Sequence, residues 1–371
     1  MDKMITVNKE RLVFAREYYG FSIEEVSQKT KIKSEILLMC EIGEDFLTYA
    51  QLSKLADFYN RSLFFFFLIN TPPIDKVAVV FRKFQQESDI ELSKKVKEMI
   101  EQADIYRLNL SEIYEDHNVV SFSALLRNDN ITDEKQLAQW LREKLEISLE
   151  KQQQFKRTAE LIEYFREKFY DIGVYIFKDS FKDNTVSGLC IFDERFPVIL
   201  LNNKTTFNRQ LFTIFHEVYH LFCREADVDF SDKTEEKACD KFAGEFLIPD
   251  TDFLQKIANV NEFENRQLIS DLSNLYTVSE DAVMYRMITK NLISHEFYNR
   301  IREGNIRKMN SATTGGNFYY TRMNYLGKSY INQVFNLYYS GKISISQVGT
   351  YTRLKPVHVS KLATNVYGGG F

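Results

Sequence analysis

The 371-residue sequence is poor in the residues that break or staple a chain, with 5 Pro and 4 Cys. Scarce proline and only 14 Gly argue against a long disordered or collagen-like polypeptide. The cysteines, Cys40, Cys190, Cys223 and Cys239, form no CxxC pair and no dense framework. That spacing predicts free thiols in a reducing cytoplasm. The longest apolar run, Leu63 to Ile69, is far below the roughly 20 residues that span a bilayer. The N-terminus MDKMITVNKERL lacks the apolar core of a secretory signal. Carboxylates are missing from one whole region. Residues 304–371 hold eight basic side chains (Arg307, Lys308, Arg322, Lys328, Lys342, Arg353, Lys355, Lys361) and no Asp or Glu. The tail is therefore +8, and the rest of the chain is −12 within a total of −4. The total argues against a nucleic-acid binder, whereas its distribution reopens that class.

What is present is a soluble, globular composition, 44% hydrophobic and 27% charged, long enough for two or three domains. Residues 8–70 read as short helices. Asn8 to Tyr19 is amphipathic and ends at Gly20. Ser22 with Glu25 has the spacing of a capping box. Further helices are expected over Lys33–Cys40 and Thr48–Tyr59. The Phe64–Phe67 run suits a core or dimer interface better than a membrane. Residues 71–165 have helical periodicity and read as scaffold. His117, beside Glu115 and Asp116, could take part in metal binding, but it reads better as part of a solvated loop. From about Asp171 the pattern changes to GVYIF, SGLCIFD and FPVILLN, three closely spaced strands that suggest a small antiparallel sheet. No long internal repeat is legible.

The helix after the strands, TTFNRQLFTIFHEVYHLF, carries Leu211, Ile214, Phe215, Val218 and Phe222 on its apolar face. It contains His216-Glu217-Val218-Tyr219-His220, an HExxH motif. Four residues turn a helix by about 400°, so both imidazoles project to one side, about 6 Å apart along the axis, and can chelate one metal. Glu217 is offset by about 100°, beside the metal, where it can reach a bound water as general acid and base. With 5 His in the chain, an accidental HExxH has a chance on the order of one per cent. Two packed histidines without a metal are the bland alternative. Zinc chemistry needs a third ligand and one open position. The segment SDKTEEKACDKFAGEFLIPD offers Glu236, with Glu235 as rival and Cys239 and Cys223 as softer candidates. Glu236 is preferred because Asp240 lies one turn beyond it. An acidic helix N-terminus is the alternative use of Glu235 and Glu236. Tyr219, Arg209 and His295 are candidates for an extra oxyanion donor, though each also suits a structural role.

Two resemblances add to this reading. The segments RLVFAREYYGFSIEEVSQKTKIKSEILLMCEIGE and TYAQLSKLADFYNRSLFFFF resemble the five-helix helix-turn-helix domain of phage-repressor-like (XRE-type) regulators. The family's Ser at the start of the recognition helix is Lys33 here, and Ser34 could cap instead. Groove contacts would then fall to Lys31, Lys33 and Ser34; a protein-interaction module is the alternative, since residues 1–70 are nearly neutral. PVILLN, RQLFTIFHEVYHLF and EKACDKFAGEFLIP resemble the ImmA/IrrE metallopeptidases. The Glu-xxx-Asp spacing is similar to that of gluzincins. These resemblances imply zinc held by His216, His220 and Glu236, Glu217 as catalytic residue, and Asp240 accepting a hydrogen bond from a ligand histidine. Asp240 stands where many ImmA/IrrE members have Asn. The family implies cleavage of a regulatory protein, often a repressor.

The expected fold is α+β and mostly helical. It comprises a helix-turn-helix domain (1–70), a helical scaffold (71–165), a zincin-like peptidase domain (166–295) and a basic helical region (296–371). The last resembles a second, minimal helix-turn-helix over GKISISQVGTYTRLKPVHVSKL, with Lys355, His358 and Lys361 on its polar face. A helical pair docked on the protein's own acidic body is the alternative. The leading functional reading is a cytoplasmic zinc endopeptidase whose partners are a protein substrate and DNA, with a homodimer also open. The competing readings are a transcription regulator with a structural or sensory metal site, and a protein that sequesters a repressor without cutting it.

Overall fold

A computed structural model of the chain describes residues 4–59, 61, 63–67, 94–115, 119–126, 131, 133–181, 186–225, 233–306 and 318–367. His117, Arg307 and Lys308 lie outside the described residues. The chain separates into two compact units, Met1–Glu101 and Gln102–Phe371, and the division falls inside the helix Lys94–Ile113.

In the first unit, capping residues set the helix boundaries. Asn8 caps α1 (Lys9–Tyr18), and Ser22 and Glu25 close a reciprocal capping box on α2 (Ile23–Thr30). Lys31 ends α2 in the left-handed conformation, and α3 (Ser34–Ile42) starts after a three-residue turn. Lys33, not Ser34, occupies the N-cap of α3, and no side-chain bond caps it. The Ser34 side chain cannot cap because its own backbone is already helical. Thr48 and Gln51 form a second capping box on α4 (Tyr49–Phe58). A short antiparallel pair, β1 (Met4–Ile5) with β2 (Leu47–Thr48), was not expected from the sequence. Ala15, Val26, Leu47, Leu52 and Leu55 are buried within the unit, and Arg16 binds Glu41 through Nε and Nη2 at 2.8 Å each, tying α1 to α3. The phenylalanine run is a 3-10 helix, Leu63–Phe67, with Phe66 fully buried.

The second unit is helical around a three-stranded sheet of order β3-β5-β4, with β3 (Tyr175–Asp179), β4 (Gly188–Ile191) and β5 (Val198–Asn202). The sheet is mixed, not antiparallel: β5 runs parallel to β3 and antiparallel to β4. The reason lies in β5, whose five residues VILLN are all buried. So apolar a strand takes the centre, where both edges are covered. The short connection from β4 makes one neighbour antiparallel, and β3 is left to flank β5 from the other side.

The basic tail folds as helices Phe318–Leu326, Lys328–Tyr339, Ile345–Thr352 and Pro356–Tyr367. It is docked within this unit. Phe177 of β3 packs between Tyr106, stacked at 4.2 Å, and Tyr330, edge-on at 5.1 Å. Arg353 pairs with Asp179, and the Tyr351 hydroxyl donates to Glu112 at 2.9 Å. Part of the tail's positive charge therefore meets the protein's own carboxylates. Among the described residues no helix is long and apolar enough to cross a membrane. None of the four cysteines is in a disulfide, and all are buried.

Candidate metal centre

The HExxH motif lies in the middle of the helix Phe207–Glu225. Its apolar face buries Leu211, Ile214, Phe215 and Val218 as the periodicity requires, with Leu221 rather than Phe222 completing the fully buried set. β4 crosses close to this helix. Gly188 makes the approach feasible, since a Cβ there would stand 2.5 Å from the Thr213 methyl. Arg209, a candidate oxyanion donor, instead bonds Ser187 Oγ at 2.9 Å near the start of β4.

The second half of the site comes from the helix Lys233–Leu247. Phe215 stacks on Phe246 with centroids 4.0 Å apart, and Phe165 meets both rings edge-on. This aromatic wedge fixes how the two helices face each other. The far end of the Lys233–Leu247 helix is held by side chains distant in sequence. Arg142 Nε donates to the carbonyl of Phe246 at 3.0 Å, and buried Gln152 donates to those of Leu247 and Tyr276, both at 2.9 Å. Glu245 pairs with buried Arg286. Sequence reading missed these supports, because nothing in a local pattern marks a carbonyl cap supplied from about a hundred residues away.

At the centre, donor atoms of three residues converge. His216 Nε2 and His220 Nε2 are 3.2 Å apart, and the Glu236 carboxylate faces both, with Oε2 3.4 Å from the first and Oε1 3.5 Å from the second. Tetrahedral ligation at the usual 2.0–2.1 Å zinc–ligand distance places neighbouring ligand atoms about 3.3 Å apart. The three separations fit one small divalent ion. His216 turns its other nitrogen to Asp240, with Nδ1 3.1 Å from Oδ1, so Nε2 is the atom left to face the metal. Cys239 Sγ stands 3.6 Å and 3.8 Å from the two nitrogens of His220. It forms a donor cluster with both histidines, but near-equal distances place the sulfur against the ring rather than in line with Nε2. Cys223 is buried on the same helix. Glu235 lies where the structure describes no side chains.

The electrostatics match a cation site. Burial favours neutral His216, yet hydrogen bonds to Asp240 and Glu236 and the charge of Glu217 push its pKa up to about 9 in the metal-free protein. Hydrogen bonds from His216 and His220 hold Glu236 far below the usual carboxylate range. These two shifts are two views of one attraction between positive imidazole and carboxylate. A metal replaces the imidazole protons in that role. Glu217 is 8% exposed, beside but outside the donor set. Tyr219 packs on Phe222 and Phe242, and burial pushes its hydroxyl pKa upward. His295 begins the helix His295–Ile306.

The candidate nucleic-acid residues are placed elsewhere. Lys31, Lys33 and Ser34 line the turn into α3, with both lysines exposed. Lys355 and Lys361 are exposed, whereas His358 Nδ1 is 2.9 Å from the Tyr319 hydroxyl.

Residues 170–287 match the family model of the IrrE N-terminal-like domain, Peptidase_M78. That segment takes in the sheet, the HExxH helix and the helix bearing Glu236 and Asp240, so family match and donor cluster coincide. The family is one of metallopeptidases and regulators, and the match implies a metal in this domain. Among solved structures, the chain is similar to a Mycobacterium tuberculosis transcriptional regulator at 16% identity and a TM-score of 0.31. The alignment covers 45% of this chain and about half, 51%, of that one. So slight a likeness carries no argument about fold or function. No curated protein sequence matches the chain.

Proposed function

We propose that the chain is a zinc-dependent endopeptidase that cuts a regulatory protein, with His216, His220 and Glu236 as metal ligands and Glu217 as catalytic residue. The observation that carries this reading is the convergence of two imidazole nitrogens, 3.2 Å apart, with the two oxygens of one carboxylate at 3.4 and 3.5 Å from them, and the buried carboxylate of Glu217 next in sequence to His216. A structural or sensory site needs no such carboxylate. Two imidazoles and one carboxylate form a zinc donor set that leaves a fourth position open. Held by these residues, the ion would supply Lewis acidity for the scissile carbonyl and the attacking water. Glu217 accepts the proton of the attacking water and delivers it to the leaving amine. Asp240 holds His216 in the tautomer that ligates. A substrate segment can add as a strand along the edge of β4, which runs beside the HExxH helix.

The substrate class, a repressor or similar regulator in the cytoplasm, rests on resemblance to ImmA/IrrE proteins. The first unit is read with it as an XRE-type helix-turn-helix. There α2 and α3 meet across the turn at Lys31–Lys33.

The test is co-expression with candidate regulators, followed by mass spectrometry of their fragments. The wild type should carry about one zinc per chain and cut one regulator at a defined bond. His216→Ala should lose the metal. Glu217→Gln should keep it while cleavage falls at least 100-fold. Cleavage by Glu217→Gln at the wild-type rate would falsify the assignment.

A further inference from the structure

The structure contains a repeat that spans the two ends of the chain. In the first unit, α2 (Ile23–Thr30) and α3 (Ser34–Ile42) follow the N-cap Ser22; in the second, the helices Ile345–Thr352 and Pro356–Tyr367 follow the N-cap Ser344. Aligned on Ser22 and Ser344, the copies share Ile23 with Ile345, Val26 with Val348, Thr30 with Thr352 and Lys33 with Lys355. The local physics repeats as well. Each serine forms a capping box, Ser22 with Glu25 and Ser344 with Gln347. Each threonine returns its hydroxyl to the valine carbonyl one turn earlier, both at 2.7 Å. Each first helix ends on a left-handed basic residue, Lys31 at φ 60 and ψ 28, and Arg353 at φ 53 and ψ 41. A non-glycine residue in that conformation is uncommon, and its recurrence at the same position marks one turn geometry used twice. The inward residues correspond too: Val26, Ile32, Leu37 and Cys40 in one copy, Val348, Leu354, Val359 and Leu362 in the other, are all buried.

The outward faces of the second helices differ. In a helix-turn-helix this is the face that enters a DNA groove. On α3 it consists of Glu35, Leu38, Met39 and Ile42, with Leu38 52% and Ile42 48% exposed, and with Lys33 exposed at the helix start as Lys355 is in the other copy. The carboxylate repels phosphate, and the three apolar chains offer no donors to base edges. The corresponding residues of Pro356–Tyr367 are Val357, Ser360, Lys361 and Thr364, all exposed, with Lys355 exposed at the helix start. Here are one apolar tip, two hydroxyls and an ammonium, the groups that meet thymine methyls, base edges and phosphates. No carboxylate occurs anywhere from residue 304 onward. The face is also held in place: Lys361 Nζ lies over the Tyr319 ring at 5.4 Å, and Tyr319 bonds His358.

We infer that the C-terminal copy is a double-stranded DNA-binding module whose helix Pro356–Tyr367 faces the major groove, and that the N-terminal copy does not contact DNA through α3. This stands apart from the peptidase reading, because it uses none of the metal-site residues.

The full chain is titrated against a fluorescein-labelled 30-base-pair mixed-sequence duplex in 50 mM salt, read by anisotropy. The wild type should bind, with affinity falling as salt rises. The double variant Lys355→Ser, Lys361→Ser should bind at least tenfold more weakly, with a salt slope lower by roughly 1.8, about 0.9 for each lost phosphate contact. Val357→Glu, which installs the charge that α3 carries at Glu35, should weaken binding similarly. Lys31→Ser with Lys33→Ser should change affinity less than twofold, and so should Glu217→Gln. Absence of wild-type binding overturns the inference. So does wild-type affinity in the folded Lys355/Lys361 variant, loss of binding in the Lys31/Lys33 variant, or tighter binding of a duplex RNA of the same length.

Discussion

His216 and Asp240 share a 3.1 Å contact between Nδ1 and Oδ1, although 24 residues separate them. Asp240 lies one helical turn beyond Glu236, so in the proposed site a single helix would supply both a metal ligand and the group that aims another. That arrangement makes metal affinity depend on a residue that never touches the ion. Asp240→Ala should bind zinc 10- to 100-fold more weakly, measured by competition with a chromophoric chelator. Asp240→Asn retains an acceptor oxygen at the same place and should lose much less. Equal losses in the two variants would show that charge, not orientation of the imidazole, is what Asp240 contributes.

The same cluster predicts how stability depends on pH in the metal-free protein. His216 has its folded pKa raised from 6.5 to about 9, so its stabilisation is complete below about pH 6.5 and is lost as pH rises through 9. Glu236 has its folded value depressed, so its contribution is complete above about pH 4.3 and is lost only on strong acidification. The two describe one interaction and do not add. The alkaline loss is at most about 3 kcal/mol, from 1.36 kcal/mol per unit. Thermal melts between pH 6 and pH 10 should show the chelated protein losing stability above pH 7. The zinc-loaded protein should be flat there, because its imidazoles are already deprotonated. A metal-free melting temperature constant over that range would contradict the hydrogen-bonded, protonated His216.

The donor set was legible in the sequence because HExxH and Glu-xxx-Asp are helical spacings, and helix geometry alone turns them into facing groups. The helix boundary at Ser22 was legible for a similar reason, since Glu25 stands at capping-box spacing, whereas the boxes at Thr48 and Ser344 were not read from the sequence. Nor was the order of the sheet. Three strands in sequence predict a meander, and only the burial of both faces of β5 decides that it takes the centre. The second helix-turn-helix was legible over GKISISQVGTYTRLKPVHVSKL, but its residue-by-residue match to residues 22–42 was not. Apart from Ile23 and Ile345, the identical residues are buried, capping and turn positions, while the outward residues between them have diverged. Supports such as Gln152 had no local signature, because their partners are backbone carbonyls brought close only by the fold.

Arg166 ties the basic tail to the sheet, and its loss should be felt there first. The guanidinium is buried and donates from Nε and Nη2 to the Ile176 carbonyl at 2.9 and 2.8 Å. It also donates to the carbonyls of Asn324 and Tyr325, at 2.7 and 3.1 Å, at the end of the helix Phe318–Leu326. Gly327 follows at φ 84, and a Cβ there would stand 2.9 Å from Arg166 Nη2, so the close approach depends on that glycine. Glu163 completes the cluster by pairing with Arg166 and with Lys178, which is fully buried and whose pKa is pushed down to about 8, chiefly by burial. Arg166→Met removes the shared donor and leaves three carbonyls to find others, at a cost of about 3–5 kcal/mol. Arg166→Lys should recover little, because an ammonium on a flexible stem cannot present the planar fork that reaches three carbonyls at once. Hydrogen exchange distinguishes a local tie from general destabilisation. The helices Phe318–Leu326 and Lys328–Tyr339 should exchange faster in both variants, while the HExxH helix keeps its protection. Uniform acceleration across the unit would mean that Arg166 supports the whole core rather than the attachment of the tail.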